Sequence, residues 1–354
     1  MRNGNHAERR EDRDFGADIV RITALIMVLW LHFYLRNGFY YTEITDAAGF
    51  AAVMFRPVLM CCVPLFMMLT GYLKCSKKWD HGYYRSLLPI LLSYLIISLI
   101  HLPYKALFRE QTASRGEWIL MIFQFELANY SWYVGMYIGL FLLSPLLNLM
   151  WASCRSRKAH LGVVLTFAAL TFLPATVNDT PLGSIVPAYF QSVYYITYYL
   201  LGCYIRTYRP RPKQWLCALF VLVTAAVLGG ANILTRTEAG NYYSGFSTAY
   251  NGLIEGVMNT AVFLFLYQFD SKKAPLRKLA AHLSGLVLEI YLLSYIADTN
   301  IYVMYYKQYP MRLYLPVGLA MTSAVFLLTY PAAFAVNRIV RRINGGRRKQ
   351  AVGS

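Results

Sequence analysis

Ten predominantly apolar stretches follow one another along this 354-residue chain, at residues 17–37, 48–73, 86–108, 129–151, 160–177, 187–205, 214–235, 250–269, 283–303 and 313–336. A helix needs about 20 such residues to cross about 30 Å of hydrocarbon, where each backbone polar group must be satisfied within the protein. The pattern therefore predicts an all-α integral membrane protein with about ten transmembrane helices. Composition agrees: 57% of residues are hydrophobic and 14% charged, outside the range of soluble globular domains. The fourth and sixth stretches, "NYSWYVGMYIGLFLLSPLLNLM" and "YFQSVYYITYYLLGCY", are rich in tyrosine and also suit a membrane interface.

No polar block is large enough for a soluble domain. The expected organisation is a polar N-terminal tail (1–16), one polytopic membrane domain (17–337) and a basic, disordered C-terminal tail (338–354). The apolar run after residue 16 has no small-residue cleavage site, so a signal peptide is not expected. The six cysteines lie in apolar runs or beside basic loops without zinc-type spacing, which predicts neither a disulfide framework nor a metal site.

The net charge of +17 is set by where the basic residues sit. Alternate loops carry Arg2, Arg9, Arg10 and Arg13; Lys74, Lys77, Lys78 and Arg85; Arg155, Arg157 and Lys158; Arg206, Arg209, Arg211 and Lys213; Lys272, Lys273, Arg277 and Lys278; and Arg338, Arg341, Arg342, Arg347, Arg348 and Lys349. The opposite set has only Lys105, Arg109, Arg115, Arg236, Lys307 and Arg312. By the positive-inside rule both termini are cytoplasmic and the number of spans is even. Topology and attraction to anionic lipid account for the charge, and no nucleic-acid partner is expected.

Within the first stretch, "RITALIMVLWLH" places an arginine and a histidine in an otherwise apolar helix. Eleven residues advance about 16 Å and turn only about 20° past three full turns, so Arg21 and His32 share one face. Arg21 then sits at the cytoplasmic boundary and His32 near the midplane. Asp18 is placed to pair with Arg21, and Arg36 continues the line outward. Ionisable groups in a membrane are costly unless they face a bundle interior or a cavity, where they mark function. A neutral imidazole at that depth can take a proton from a hydroxyl. Spacing alone leaves a second reading open, in which Arg21 reaches the headgroups and His32 only hydrogen-bonds to a neighbouring helix.

The R-x10-H arrangement in "ADIVRITALIMVLWLHFY" resembles the signature of the acyltransferase-3 family of bacterial membrane acyltransferases. "VPLFMMLTGYLK", a following "YYRSLLPILLSYL", "SWYVGMYIGLFLLSPLLNLM" and "LEIYLLSYI" are similar to further family segments in the same order. The resemblance implies a ten-helix plasma-membrane enzyme that moves an acyl group, usually acetyl, from cytoplasmic acyl-coenzyme A to a hydroxyl of a carbohydrate or lipid-linked glycan. It makes His32 the catalytic histidine, Arg21 its partner in the motif and Arg85 a basic position that meets the donor. Two residues depart from the pattern: Ser294 replaces a frequent histidine, and Glu289 replaces a small residue.

A hydroxyl attacking a thioester needs a proton acceptor, and His32 fits that role, either as a base in direct transfer or as a transient acyl carrier. Arg21 offers a fixed fork of donors to coenzyme A phosphate. Glu126, Glu255, Glu289 and Asp298 lie in or near spans as groups that can orient His32 or bind acceptor hydroxyls. The tyrosines of "YYITYYLLGCY", "NYYSGFSTAY" and "IYVMYYKQY" suit either interface anchoring or sugar stacking. The alternative function is a transporter or flippase for a lipid-linked or amphipathic substrate, which predicts repeat symmetry and broken helices in corresponding places. Pro64, Pro89, Pro316 and Pro331 interrupt the pattern, but their flanking sequences do not match.

Overall fold

A computed structural model of the chain describes residues 13–80, 82–109, 113–178, 183–234, 250–305 and 311–350, with backbone alone at 305, 311 and 346–350. Regular structure among these residues is helical. In chain order, α1 is Phe15–Arg36, α2 Ala47–Met60, α3 Cys62–Lys74, α4 Leu88–Phe108, α5 Arg115–Phe123, α6 Trp132–Ser153 and α7 Arg157–Val177. They are followed by α8 Tyr194–Tyr208, α9 Gln214–Leu234, α10 Leu253–Leu266, α11 Ala274–Ser284, α12 Val287–Ile301 and α13 Tyr314–Gln350.

Each apolar stretch holds a helix, but their lengths differ. Seven are long and apolar enough to cross a membrane, counting α2 and α3 as one segment, and the number rises to eight if the bent pair α11–α12 is one span. The remaining intervals form α8, α10 and α12, of 15, 14 and 15 residues. At 1.5 Å per residue these rise only about 22 Å. Their apolar flanks went into other structure: residues 191–193 form a 3-10 turn before α8, and a 58° bend separates α11 from α12.

The break between α2 and α3 has a local cause. Pro64 lacks the N–H that would bond to Met60, and its ring crowds that carbonyl. The helix accordingly stops at Met60 and restarts at Cys62. Pro89, by contrast, sits in the first turn of α4, where a proline is tolerated. The basic segment expected to be a disordered tail instead continues α13 to Gln350.

Helix α1 is the hub. It packs against α2, α3, α10, α11, α12 and α13, which explains why Val20, Ala24, Leu29 and Phe33 are fully buried. Beside it, α3 and α8 approach backbone to backbone. A Cβ on Gly71 would lie 1.9 Å from the Tyr199 carbonyl oxygen, and one on Gly202 would lie 1.9 Å from that of Met68. Small residues permit such contacts between membrane helices, where dispersion rather than water exclusion drives association. On the outer faces the leucines are exposed instead, among them Leu99, Leu146, Leu165, Leu222 and Leu327. An apolar belt of this kind needs hydrocarbon around it. The chain is a multi-pass membrane protein.

Candidate active site

Helix α1 begins at an N-cap formed by Asp14, whose carboxylate accepts from the Ala17 amide at 3.1 Å and from the Tyr72 hydroxyl at 2.7 Å. This anchoring fixes the rotation of the helix, and with it the face that carries Asp18, Arg21, His32 and Arg36. Asp18 and His32 are buried, and Arg21 and Arg36 are half-buried. The stripe therefore faces inward. Asp18 does not pair with Arg21, however. Arg13, just ahead of the helix, folds back onto it through two 2.7 Å hydrogen bonds. Arg21 instead donates to the Ser284 hydroxyl at 3.2 Å, at the α11–α12 bend.

Arg21 lines a cavity of about 420 Å³. Lys74 and Arg341 also border it, so three cations face a space whose remaining wall is mostly apolar, with Val63, Phe66, Leu69 and Leu288 prominent. Glu289, one of the two departures from the family pattern, is a polar patch on that wall. Its Oε1 accepts from Ser93 at 2.8 Å and from Asn337 at 2.9 Å. Asn337 also donates to the Gly285 carbonyl at 3.1 Å, tying α13 to the bend. Arg85 lies elsewhere, exposed in the 3-10 turn Tyr84–Leu87 and outside the cavity lining.

His32 is not part of that lining. The cavity reaches Val28, one helical turn before it, and Tyr291, whose ring centroid is 6.2 Å from the imidazole. Tyr130 stacks on His32 from another side, with centroids 3.7 Å apart and ring planes 22° from parallel. The Tyr291 hydroxyl donates to the Tyr130 carbonyl at 2.8 Å, so the two rings hold one another in place around the histidine.

The carboxylate nearest His32 comes from α12. Asp298 Oδ2 lies 3.4 Å from His32 Nδ1 and accepts a hydrogen bond from the Tyr130 hydroxyl. The 3.4 Å separation brings the carboxylate against the ring nitrogen, but the alignment falls short of a hydrogen bond, and Nδ1 has no hydrogen-bond partner among the described residues. Asp298 Oδ1 is likewise buried without a partner. A carboxylate beside Nδ1 favours the tautomer with the proton there, which leaves Nε2 as the acceptor. Contacts of this kind are often loose before substrate arrives.

Of the four acids singled out in the sequence, then, Asp298 stands at His32 and Glu289 at the cavity. Glu126 is exposed, and Glu255 is buried in α10. Ser294, at the other departure, donates to the Tyr291 carbonyl of its own helix at 2.7 Å. Tyr130, Ser284 and Asn337 had no signal in the sequence beyond being polar groups at the edges of apolar runs. The tyrosines at 241–249 and 306–309, and Arg2, Arg9, Arg10, Arg236 and Lys307, lie outside the described residues.

These features sit inside a recognisable sequence pattern. Residues 14–336 match the acyltransferase-3 family, whose model is described as an acyltransferase domain. The chain belongs to the acyltransferase-3 family. That match takes in every membrane segment from α1 into α13, with Arg21, His32, Tyr130, Glu289 and Asp298 all inside it. No curated protein and no solved structure is significantly similar to the chain. Family membership makes it a membrane acyltransferase.

Proposed function

We propose that this acyltransferase moves an acyl group, acetyl in the first instance, from cytoplasmic acyl-coenzyme A to a hydroxyl of a cell-envelope glycan or lipid-linked saccharide. The observation that carries the reading is the composite arrangement on α1. Arg21 borders an apolar cavity rimmed by cations, and His32, three turns along the same face, has a carboxylate at one ring nitrogen.

The cavity suits the donor's chemistry, which is a long, weakly polar arm ending in a thioester and joined to phosphates. Arg21, Lys74 and Arg341 would hold the phosphates, while the wall around Phe66 and Leu69 takes the arm. The donor supplies an activated acyl thioester. His32 Nε2 takes the proton of the attacking hydroxyl as its oxygen bonds to the acyl carbon, Asp298 stabilises the imidazolium that results, and the C–S bond breaks with the imidazolium returning the proton to the departing coenzyme A thiolate. Tyr130 holds Asp298 in position, since its hydroxyl donates to the carboxylate. Arg85, exposed and outside the cavity lining, meets the donor only at its far end.

The loop charges support ten crossings of the plasma membrane with both termini cytoplasmic, and basic residues at anionic lipid headgroups. In that arrangement the Arg21 end of the cavity opens towards the cytoplasm, where acyl-coenzyme A is made.

The test supplies membranes containing the protein with labelled acetyl-coenzyme A and extracted envelope glycans. Label in the glycan fraction that depends on the protein is the expected result. Movement of an unmodified lipid-linked saccharide across the membrane without label transfer would instead establish the transporter alternative.

A further inference from the structure

At the end of the bundle opposite Arg21, beyond His32, three cations gather around Tyr295. The Arg36 guanidinium stands 5.3 Å from the centroid of that ring, and the Lys105 ammonium stands 5.8 Å from the same centroid. Arg109 joins them through Tyr104: its Nε donates to the Tyr104 hydroxyl at 3.2 Å, and the Tyr104 ring meets Tyr295 edge-on at 6.4 Å. Arg109 Nη2 also donates to the Thr299 carbonyl at 2.9 Å, one residue from Asp298.

Among the described residues, what holds these cations is neutral. Lys105 is buried, and among the described residues its ammonium reaches only the Glu126 carbonyl, at 3.4 Å, out of three possible donations. Arg36 has the Tyr295 ring and the Tyr130 hydroxyl beside it. Among the described residues no carboxylate lies within 4.0 Å of Arg36, Lys105 or Arg109. Two carboxylates act on this end from further away: Asp298, already engaged by Tyr130 and His32, and the exposed Glu126. Among the described residues positive charge is thus in excess at this end, fixed in place and partly desolvated. An uncompensated buried cation is costly, and in a membrane protein it marks a substrate path. Lys105 and Arg109 also belong to the sparse set of loop and span-end cations, so charge bias for topology does not account for them.

We infer that this cluster is a binding site for an anionic group on the acceptor, a carboxylate or a phosphate carried by the saccharide whose hydroxyl is brought to His32. Arg36 and Lys105 converge on the ring next to Asp298, so a saccharide held there by its anionic group presents its hydroxyls to the buried histidine. The partly exposed Tyr104 and the exposed Asn300, which donates to the Tyr104 hydroxyl at 2.9 Å, supply the stacking and hydrogen-bonding surface that a sugar ring needs. This assignment rests on the acyltransferase reading for its choice of acceptor, and its binding test stands apart from that reading.

The full-length protein in phosphatidylcholine nanodiscs would be titrated, with ligand-observed NMR, against methyl glucuronide, glucose 1-phosphate and neutral methyl glucoside. At least one anionic sugar is expected to bind about tenfold or more tightly than the neutral one, in line with a charge-assisted hydrogen bond. Which of the two binds tells carboxylate from phosphate. Lys105→Gln is expected to erase that margin and Lys105→Arg to keep it. Arg109→Gln, at an exposed position that folding tolerates, reduces it by a few-fold and serves if Lys105→Gln does not fold. Equal binding of charged and neutral sugars, or variants that keep the margin, would overturn the assignment. So would abolition of sugar binding by phosphatidylglycerol nanodiscs, which would make the occupant a lipid headgroup. Charge-selective binding without any acetyl transfer would remove the proposed acetyl-to-glycan reaction and leave the site. Transfer to glycans without charge-selective binding would do the reverse.

Discussion

Arg21 and Arg36 stand at opposite ends of the same helix, and their surroundings differ in kind. Arg21 hydrogen-bonds one serine and opens onto a cavity of about 420 Å³ whose wall is largely apolar. Arg36 lies against aromatic rings in a tightly packed cluster with Tyr130, Tyr295 and Lys105. The first environment suits a long flexible arm with phosphates at its end. The second suits a compact polar head that displaces little. Between them His32 is enclosed by Tyr130 and Tyr291. In the proposed reaction, one helix separates the recognition of two substrates while sharing one reactive group.

Substitutions should fall on one half or the other, and the largest effects belong to the shared centre. His32→Ala removes the proton acceptor and is expected to lower kcat by about 10² to 10⁴, with donor affinity unchanged, as measured by label transfer and by donor binding. Asp298→Asn leaves the shape intact but loses the charge beside Nδ1; a drop in kcat of about tenfold to a hundredfold, without a change in either KM, is the expected outcome. If Asp298→Asn instead raised the donor KM alone, Asp298 would belong to the cavity and not to the centre.

The two arginines then test the division itself. Arg21→Ala should raise KM for acetyl-coenzyme A about tenfold and leave KM for the glycan alone, because it deletes a charged hydrogen-bond partner of the donor. Arg36→Gln should do the opposite. Equal effects of both substitutions on both KM values would collapse the distinction. Ser284→Ala, which removes only the hydroxyl that Arg21 bonds, is expected to change the donor KM by no more than about threefold, the size of a neutral hydrogen bond.

Much of the fold was legible because the bilayer dictates segment length, and the family pattern was legible because it runs through most of those segments in order. The inward stripe on α1 followed from helical geometry alone. Three kinds of information were not local. The lengths of α8, α10 and α12 depend on neighbouring helices that cover them, so apolar flanks there can form 3-10 turns and bends instead of helix. Asp18 meets Arg13 and not Arg21 because the chain ahead of α1 folds back over the first turn, which periodicity within the helix does not reveal. Asp298 and Glu289 stood out as acids in one apolar run, but only the packing of α12 against α1 and α4 separates a partner of His32 from a residue on the cavity wall.

The most direct test of a shared centre between two substrate halves uses purified protein in sealed proteoliposomes, with labelled acetyl-coenzyme A on the face nearer Arg21 and envelope glycan on the other. Wild-type protein is predicted to move label across to the glycan, and His32→Ala to bind the donor normally yet transfer none above background. Transfer by His32→Ala at the wild-type rate would contradict the account.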